Sequence, residues 1–344
     1  MGEPQRNSRN RPCRSQEGLI AAMMNPEFYP KPPPQVEHKE THISHLFLAG
    51  DLVYKIKKAV RYSFLDYSTL SKRRRFLQEE LRLNRRLAPS VYLAVMPITF
   101  DPKGWRLGGG DTPSEYTLVM RRLPERCMLP VLLDAGRVSG EMIGRLAEVL
   151  ADFHSHAEPL ARAEASRHTE NVEREWNSNL ADLSPLVGRF IDVESLKRLE
   201  AFGADFVSRN TELFHRRAAQ RWIRDVHGDL HCEHVCFAPE GIQIYDCIEF
   251  DPKLRRCDLA SEIAFLLMDL QVRGGGALRA PFLKRYLELL NDSELSALLP
   301  FYECYRALVR GKVEALRPQT AEARAPRYFR YALEITCSRL NHSS

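Results

Sequence analysis

The chain has 344 residues, of which 44% are hydrophobic and 28% are charged, enough to bury the core of one large domain or of two lobes. The net charge of +5 is small, the basic residues are scattered and no nucleic-acid-binding motif is present, so we expect no nucleic-acid partner. The sequence contains neither a secretory leader nor an apolar run long enough to cross a bilayer. The eight cysteines therefore predict reduced thiols in a cytoplasmic protein without membrane contact.

Composition divides the chain into four segments. Residues 1–35 are polar, rich in arginine and broken by proline, which predicts a disordered N-terminal segment. Residues 36–122 mix strand and helix patterns, and the character changes after Arg122-Leu123-Pro124 to the helical patterns of residues 123–318. Residues 319–344 form a tail in which 328–339 could make one helix.

The segment 36–122 predicts strands around one helix. Residues 42–48 and 52–56 flank the turn at 49–51, which is typical of a hairpin. Residues 71–87 carry an amphipathic helix pattern that ends before Pro89, with Ser68 or Ser71 available as the N-cap. The apolar runs 91–100 and 116–120 predict two further strands, which gives the order β-β-α-β-β.

The segment 123–318 predicts mainly helices, over residues 140–156, 171–187, 194–217, 259–270, 281–290 and 295–314. Short strands are predicted at 224–226, 235–237 and 242–245, and Asp258 is placed to cap the helix that follows it. A small mixed lobe followed by a larger helical lobe is the α+β architecture of a kinase.

Two carboxylates stand at the ends of two of these short strands. Asp229 lies in the run His227-Gly228-Asp229-Leu230-His231, and Asp246 follows the apolar run Ile244-Tyr245. Phosphoryl transfer to a hydroxyl needs one carboxylate that receives or orients the hydroxyl proton and one that holds Mg²⁺ against the phosphates. The alternative for each acid is an ordinary turn residue that bonds its own backbone.

Together with the downstream runs Asp246-Cys247-Ile248-Glu249-Phe250 and Asp258-Leu259-Ala260, this pattern resembles the aminoglycoside phosphotransferase family within the protein-kinase-like superfamily. The resemblance covers roughly residues 36–316 and is strongest to an uncharacterised bacterial branch. Members of that branch are often fused to a P-loop ATPase domain, but this sequence has no G-x-x-x-x-G-K-[ST] motif. The resemblance implies a bilobal protein-kinase-like fold, with a small β-rich N-lobe and a larger, mainly helical C-lobe.

The resemblance also implies roles for individual residues. Asp229 would be the catalytic base, and Asp246 would be a Mg²⁺ ligand. Lys55 would contact the α/β-phosphates of ATP, with Glu80 rather than Glu79 as its helix partner, although a solvated basic strand end explains Lys55 as well.

One further position follows from the same resemblance. Met120, in the run 118–121, would belong to the hinge that presents backbone groups to adenine. A core strand explains that run equally well, and the two interpretations are compatible.

His234 departs from the family pattern, which usually has Asn as the second metal ligand. Imidazole is a softer ligand that suits Mn²⁺ or Zn²⁺ better than Mg²⁺. His234 could bind Mn²⁺ or weakly held Mg²⁺, it could hydrogen-bond a phosphate, or the site could have lost catalysis.

We therefore predict an ATP-dependent phosphotransferase that uses Mg²⁺ or Mn²⁺ and acts on a hydroxyl of a small-molecule acceptor. A nucleotide-binding pseudokinase is the alternative that His234 motivates. A third hypothesis is a structural zinc scaffold built on the cluster of His231, Cys232, His234, Cys236, Cys247 and Cys257, although it lacks the paired knuckles that are typical of such sites. The sequence names neither the acceptor nor the oligomeric state.

Overall fold

The computed structural model describes residues 16–62, 65–109, 112–317 and 319–340. The chain divides into two compact units. Unit 1 comprises Met1–Arg85 and Pro89–Arg122, and unit 2 comprises Arg86–Ala88 and Leu123–Ser344. None of the helices within the described ranges combines the length and the apolar character that crossing a membrane requires.

The described residues of unit 1 form a main antiparallel sheet, a two-stranded ribbon and two α-helices. In chain order its elements are α1 (Gln16–Met23), β1 (Val36–Glu40), β2 (Ser44–Ala49), β3 (Leu52–Lys57), β4 (Arg61–Tyr62), β5 (Leu65–Asp66), α2 (Leu70–Asn84), β6 (Tyr92–Asp101), β7 (Gly104–Leu107) and β8 (Glu115–Arg121). The main sheet has six strands in the order β1-β2-β3-β8-β6-β7, and β4 pairs with β5. The predicted hairpin corresponds to β2 and β3, and its turn uses Gly50 at a φ of +63°.

Helix α2 begins one residue earlier than predicted and ends three residues earlier. Its N-cap is Thr69, whose hydroxyl accepts a hydrogen bond from the amide of Lys72, instead of Ser68 or Ser71. Leu77, Glu80 and Asn84 are among its buried residues. Because this spacing of three and four residues defines one face of a helix, Glu80 is directed inward, onto the sheet side of α2.

The prediction of disorder across residues 1–35 was wrong for residues 16–35. Helix α1 buries Leu19 and Met23 completely, in a cluster with Phe47 of β2 and Tyr54 of β3. The hydroxyl of Tyr29 donates a 2.5 Å hydrogen bond to the carbonyl of Met23, which ties the segment after α1 to the helix. Residues 1–15, where disorder was also predicted, lie outside the described residues.

Unit 2 is mainly helical. Its helices are α3 (Leu129–Asp134), α4 (Gly140–His156), α5 (Arg162–Ala165), α6 (His168–Ala181), α7 (Val193–Arg209), α8 (Thr211–Ala219), α9 (Pro252–Arg255), α10 (Leu259–Val272), α11 (Arg279–Leu290), α12 (Leu295–Ala315) and α13 (Ala321–Leu340). Its strands are β9 (Ile223–Asp225), β10 (Val235–Ala238), β11 (Gly241–Ile244) and β12 (Arg256–Asp258). Strand β10 pairs with β11, and β9 pairs with β12, both antiparallel.

The core of unit 2 surrounds α10, in which residues 259–270 are all buried. Asp258 caps this helix as predicted, since its carboxylate accepts from the amide of Ala260 at 2.8 Å. The helix predicted over 194–217 is two helices that meet at Asn210. The predicted last helix begins at Ala321 rather than at residue 328, and it buries Ala325, Tyr328 and Phe329 in the unit 2 core.

Candidate active site

The turn that carries Asp229 is shaped by the glycine before it. Gly228 has a φ of +85°, in the left-handed region that glycine adopts without strain. A Cβ atom at this position would lie 2.9 Å from the Cα atom of Arg255 and from the carbonyl oxygen of Leu254. Glycine is therefore required both by the backbone conformation and by the close approach of the segment from α9.

A buried carboxylate also holds the turn that carries Asp229. Glu262 of α10 accepts the backbone N–H of His227 at 2.8 Å and that of Gly228 at 3.0 Å. Burial raises the pKa of Glu262 to about 7, against the charge of Arg306 and the two N–H donors, which lower it. These two hydrogen bonds hold the two peptide groups that precede the catalytic candidate.

His227 links this turn to the second acid. Its Nε2 atom donates to the carbonyl of Tyr245 at 2.9 Å, and its Nδ1 atom accepts the amide of Asp229 at 3.2 Å. Only a neutral imidazole can donate with one nitrogen and accept with the other. Burial lowers the pKa of His227 to about 3, which keeps the ring neutral.

The β10–β11 hairpin brings His234 next to Asp246. Val235 pairs with Ile244, and the amide of Tyr245 donates to the carbonyl of His234 at 3.1 Å. Asp246 then adopts a φ of +66°, a conformation that few non-glycine residues take and that Asp tolerates better than most. The backbone thus turns sharply where the carboxylate is presented.

The two acids flank one imidazole. The Oδ2 atom of Asp229 lies 3.6 Å from Nδ1 of His234, and the Oδ2 atom of Asp246 lies 3.6 Å from Nε2 of the same ring. A second imidazole, that of His231, has its Nε2 atom 3.5 Å from Oδ2 of Asp229. The sequence prediction that Asp229, Asp246 and His234 lie together is matched by these distances.

The charge of Asp229 is set by opposing effects. Burial raises its pKa, but the charges and hydrogen bonding of His231, together with the charges of His234 and Arg310, lower it by more, so that the pKa lies well below the ordinary range. Asp229 is therefore an ionised carboxylate at neutral pH. It accepts hydrogen bonds readily and holds a proton weakly.

The hydrogen bonds of His234 bear on the metal prediction. Its Nδ1 atom lies 2.9 Å from the carbonyl oxygen of Asp229, and since a carbonyl can only accept, this nitrogen carries the proton. In the neutral ring the lone pair is then on Nε2, which faces Asp246. An imidazole nitrogen beside a carboxylate oxygen is a donor set that fits Mn²⁺ better than Mg²⁺.

A related group of possible metal ligands consists of Asp229, His231 and His234, whose ligand atoms lie within 4.8 Å of one another. It contains no cysteine. Cys232 and Cys236 are buried free thiols, and burial raises the pKa of both, which favours the protonated form over the thiolate that zinc binds.

In unit 1 the predicted partners Lys55 and Glu80 meet. The Nζ atom of Lys55 lies 2.6 Å from Oε1 of Glu80, and the Nζ atom of Lys57 lies 2.7 Å from Oε2. Glu80 and Lys57 are fully buried, whereas 12% of the Lys55 side chain is exposed. Glu79 instead pairs with Arg82 near the surface, so the choice of Glu80 over Glu79 agrees with the observed contacts.

Met120 lies within the sheet of unit 1. It pairs with Val53 of β3 and with Tyr92 of β6, and it is 9% exposed. Backbone hydrogen bonds continue beyond it, from the amide of Arg121 to Val91 and from that of Arg122 to Asp51. Its position is thus that of a core strand, and the adenine-hinge role remains a prediction.

Several side chains of the site were missed by sequence reasoning. No role was predicted for Lys57, Glu262, His227 or the arginines of α12. The alternation of Lys55 and Lys57 on one strand face was the available signal for Lys57, since residues two apart share a face. Glu262 could not be found this way, because its partners lie 34 and 35 positions away.

The comparisons with known proteins bear on this arrangement. The model of the phosphotransferase enzyme family (APH) matches residues 50–301, well over half of the chain. The chain belongs to this family. Uncharacterized protein Rv2004c of Mycobacterium tuberculosis (strain ATCC 25618 / H37Rv) is 32% identical over 311 residues, which cover 90% of this chain and 61% of that protein. The chain thus spans only about three fifths of the curated relatives' length.

Two solved structures resemble the chain described here along nearly their whole length. The GDP complex of aminoglycoside 2'-phosphotransferase-IIIa has a TM-score of 0.53 at 13% identity, over 96% of this chain and 100% of that one. Choline kinase from Cryptosporidium parvum Iowa II has a TM-score of 0.54 at 10% identity, over 94% and 97%. At such identities the likeness concerns the fold alone, and it confirms the predicted bilobal, kinase-like α+β fold.

Proposed function

We propose that the chain is an ATP-dependent phosphotransferase that transfers the γ-phosphate to a hydroxyl group of a small-molecule acceptor. Family membership supports the reaction class. The proposal rests on one observation. The imidazole of His234 lies between the carboxylates of Asp229 and Asp246, at 3.6 Å from each. Phosphoryl transfer relies on positioning and charge stabilisation, and this arrangement offers both.

The roles follow from the charge of each group. Lys55 would contact the α/β-phosphates while Glu80 holds its ammonium group in place. Asp246 and His234 would hold the divalent cation, which would neutralise charge on the triphosphate. The ionised Asp229 would accept a hydrogen bond from the hydroxyl of the substrate. This bond would direct the hydroxyl oxygen at the γ-phosphorus.

The low pKa of Asp229 refines this role. A carboxylate that binds a proton weakly contributes little to early proton abstraction. In a loose transition state the nucleophile needs little deprotonation before attack, so orientation of the hydroxyl is the larger contribution. Asp229 would receive the proton late, as the new P–O bond forms.

The test is an ADP-release assay with ATP and either Mg²⁺ or Mn²⁺, against a panel of sugars, amino-sugars and amino alcohols. We expect acceptor-dependent ADP release that falls by about a hundredfold or more in Asp229→Asn, the usual size of a lost acid–base group. The variant should still bind ATP. Equal rates for the wild type and Asp229→Asn would contradict the proposal.

The second candidate is a nucleotide-binding protein without turnover, and the presence of His234 in place of the usual Asn favours it. This candidate predicts ATP binding without ADP release for any acceptor or metal. It also predicts that His234→Asn restores turnover with Mg²⁺. Turnover by the wild-type chain with Mn²⁺ would exclude it.

We also propose a cytoplasmic location, supported by cysteines that are free thiols at every position that the structure describes.

A further inference from the structure

Helix α12 carries two arginines, four positions apart, that both reach the turn around Asp229. Arg306 and Arg310 are 7% and 4% exposed, so neither is a surface cation. Residues four apart lie on the same face of a helix, and this face is turned toward α10 and the catalytic turn.

Arg306 holds the backbone just before the catalytic candidate. Its Nη1 atom donates to the carbonyl of Gly228 at 3.2 Å, and its Nε atom donates to the hydroxyl of Ser261 at 3.2 Å. The guanidinium carbon lies 5.0 Å from the centre of the Phe265 ring. Since Glu262 already accepts the N–H of Gly228, both polar groups of that residue are bound by side chains.

Arg310 contacts two side chains of the segment that follows Asp229. Its Nη1 atom lies 3.2 Å from Nε2 of His231, and its Nη2 atom donates to the carboxylate of Glu233. Glu233 is also bound by Arg273 and Arg324, so this contact belongs to a network rather than to a single ion pair. Arg310 therefore reaches the chain two residues and four residues after Asp229.

We infer that Arg306 and Arg310 are positioning residues that clamp the Asp229 turn from both sides and thereby fix its carboxylate for transfer. This inference rests on the proposed function for its kinetic part. A planar guanidinium can donate to two acceptors in fixed directions, which a lysine ammonium cannot reproduce. A shift of the catalytic group by about 1 Å can cost about a hundredfold in rate, so the clamp acts on kcat without touching the substrates.

The kinetic test compares Arg306→Met and Arg306→Lys with Arg285→Met as the control. Arg285 pairs with Glu148 at the surface of unit 2, and 43% and 47% of the two side chains are exposed. We expect kcat to fall by roughly ten- to a hundredfold in both Arg306 variants while KM for ATP stays within about twofold, and the control to match the wild type. An Arg306→Met variant with an unchanged kcat would overturn the clamp.

Chemical rescue separates positioning from general loss of structure. Arg306 lines a cavity of about 60 Å³, so space adjoins the position that its guanidinium would vacate. Methylguanidinium should raise kcat of Arg306→Ala severalfold, and methylammonium, which lacks the planar fork, should not. Equal rescue by both ions, or by neither, would count against the inference.

Amide hydrogen exchange tests the clamp without relying on turnover. In Arg306→Lys and Arg310→Lys, we expect peptides that cover residues 226–231 to exchange at least tenfold faster, with exchange in α12 unchanged. Unaltered exchange at 226–231 would overturn the clamp. A wild-type chain that shows no turnover would count against the proposed function alone, and the exchange measurement would still decide the clamp.

Discussion

The charged groups around Glu80 in unit 1 and around His234 in unit 2 are arranged in opposite ways. In unit 1, Lys55 and Lys57 place two ammonium groups on the single buried carboxylate of Glu80, at 2.6 and 2.7 Å. In unit 2, two carboxylates face one imidazole at 3.6 Å, beyond hydrogen-bond length, and both are partly exposed. The centre of unit 1 is assembled from the chain's own ion pairs, whereas the spacing in unit 2 suits an added cation and a substrate hydroxyl.

The kinds of charged group differ in the same sense. Unit 1 brings two ammonium groups to one carboxylate, and ammonium groups bind phosphate oxygens. Unit 2 brings two carboxylates to one imidazole, and carboxylates bind divalent metals. We therefore expect substitutions in unit 1 to act mainly on stability and nucleotide affinity, and substitutions in unit 2 to act mainly on catalysis.

The largest expected effect is that of Asp246→Asn. If Asp246 holds the cation as proposed, its loss should lower kcat by about a thousandfold, since metal ions contribute several kcal/mol of charge stabilisation in such transition states. ADP release and Mn²⁺ titration measure the two consequences. Asp205→Asn is the control, since that residue forms an exposed pair with Arg209. A fall in kcat of less than tenfold would show that Asp246 is not a metal ligand.

Glu80→Gln tests the centre of unit 1. The substitution leaves Lys55 and Lys57 next to a neutral amide, and breaking a buried ion pair by removing one partner costs about 3 to 5 kcal/mol. Urea denaturation should show a loss in the free energy of unfolding of that order. Glu79→Gln, one position away on the surface of α2, should cost less than about 1 kcal/mol. Equal losses in the two variants would contradict the comparison.

Acid sensitivity should come from unit 2. Burial lowers the pKa of His154 to about 3, next to the charge of Arg224, while its unfolded value is near 6.5. Its contribution to stability is therefore complete above pH 6.5 and is lost as the pH falls toward 3, because the unfolded chain binds a proton that the folded chain excludes.

Replacing this histidine tests the sign of the effect. His154→Gln should reduce the slope of unfolding free energy against pH by about 1.4 kcal/mol per pH unit between roughly pH 6 and 4, the value for one proton. His156→Gln is the matched control, because that imidazole is exposed on the same helix. An unchanged slope in His154→Gln would show that the ring is protonated in the folded chain.

The smallest expected effect is a change in metal preference. His234→Asn replaces the imidazole with the harder amide oxygen, so the ratio of Mn²⁺- to Mg²⁺-supported kcat should fall by about tenfold. Measurement of kcat at saturating metal gives this ratio. If the ratio stays the same, His234 is not a ligand and acts through its hydrogen bond to the carbonyl of Asp229.

The sequence predicted which candidate residues lie together where a local pattern places them. Asp229 and Asp246 could be placed because a glycine turn and a β-branched run each put one acid at a strand end; their roles stay predictions. The hairpin that joins them requires only ten residues of β10 and β11 with their turn. His234 then lies beside Asp246 without any long-range contact, so its departure from the family pattern could be interpreted directly.

The side chains of the site that were not predicted depend on packing between distant segments. Glu262, Arg306 and Arg310 reach the Asp229 turn across 34 to 79 positions, which no local periodicity encodes. Helix α1 was missed because eight residues with two buried side chains carry little helical signal of their own, and the helix is stabilised by the sheet of unit 1. Propensity is overridden in such segments by tertiary contacts.

The most direct test of the central claim is the crystal structure of the chain with Mn²⁺ and a non-hydrolysable ATP analogue, with the metal located by its anomalous scattering. The account predicts one Mn²⁺ ion in direct contact with Asp246 and with Nε2 of His234, and a γ-phosphate group facing Asp229. A metal bound elsewhere, or a nucleotide whose γ-phosphate is turned away from Asp229, would contradict it.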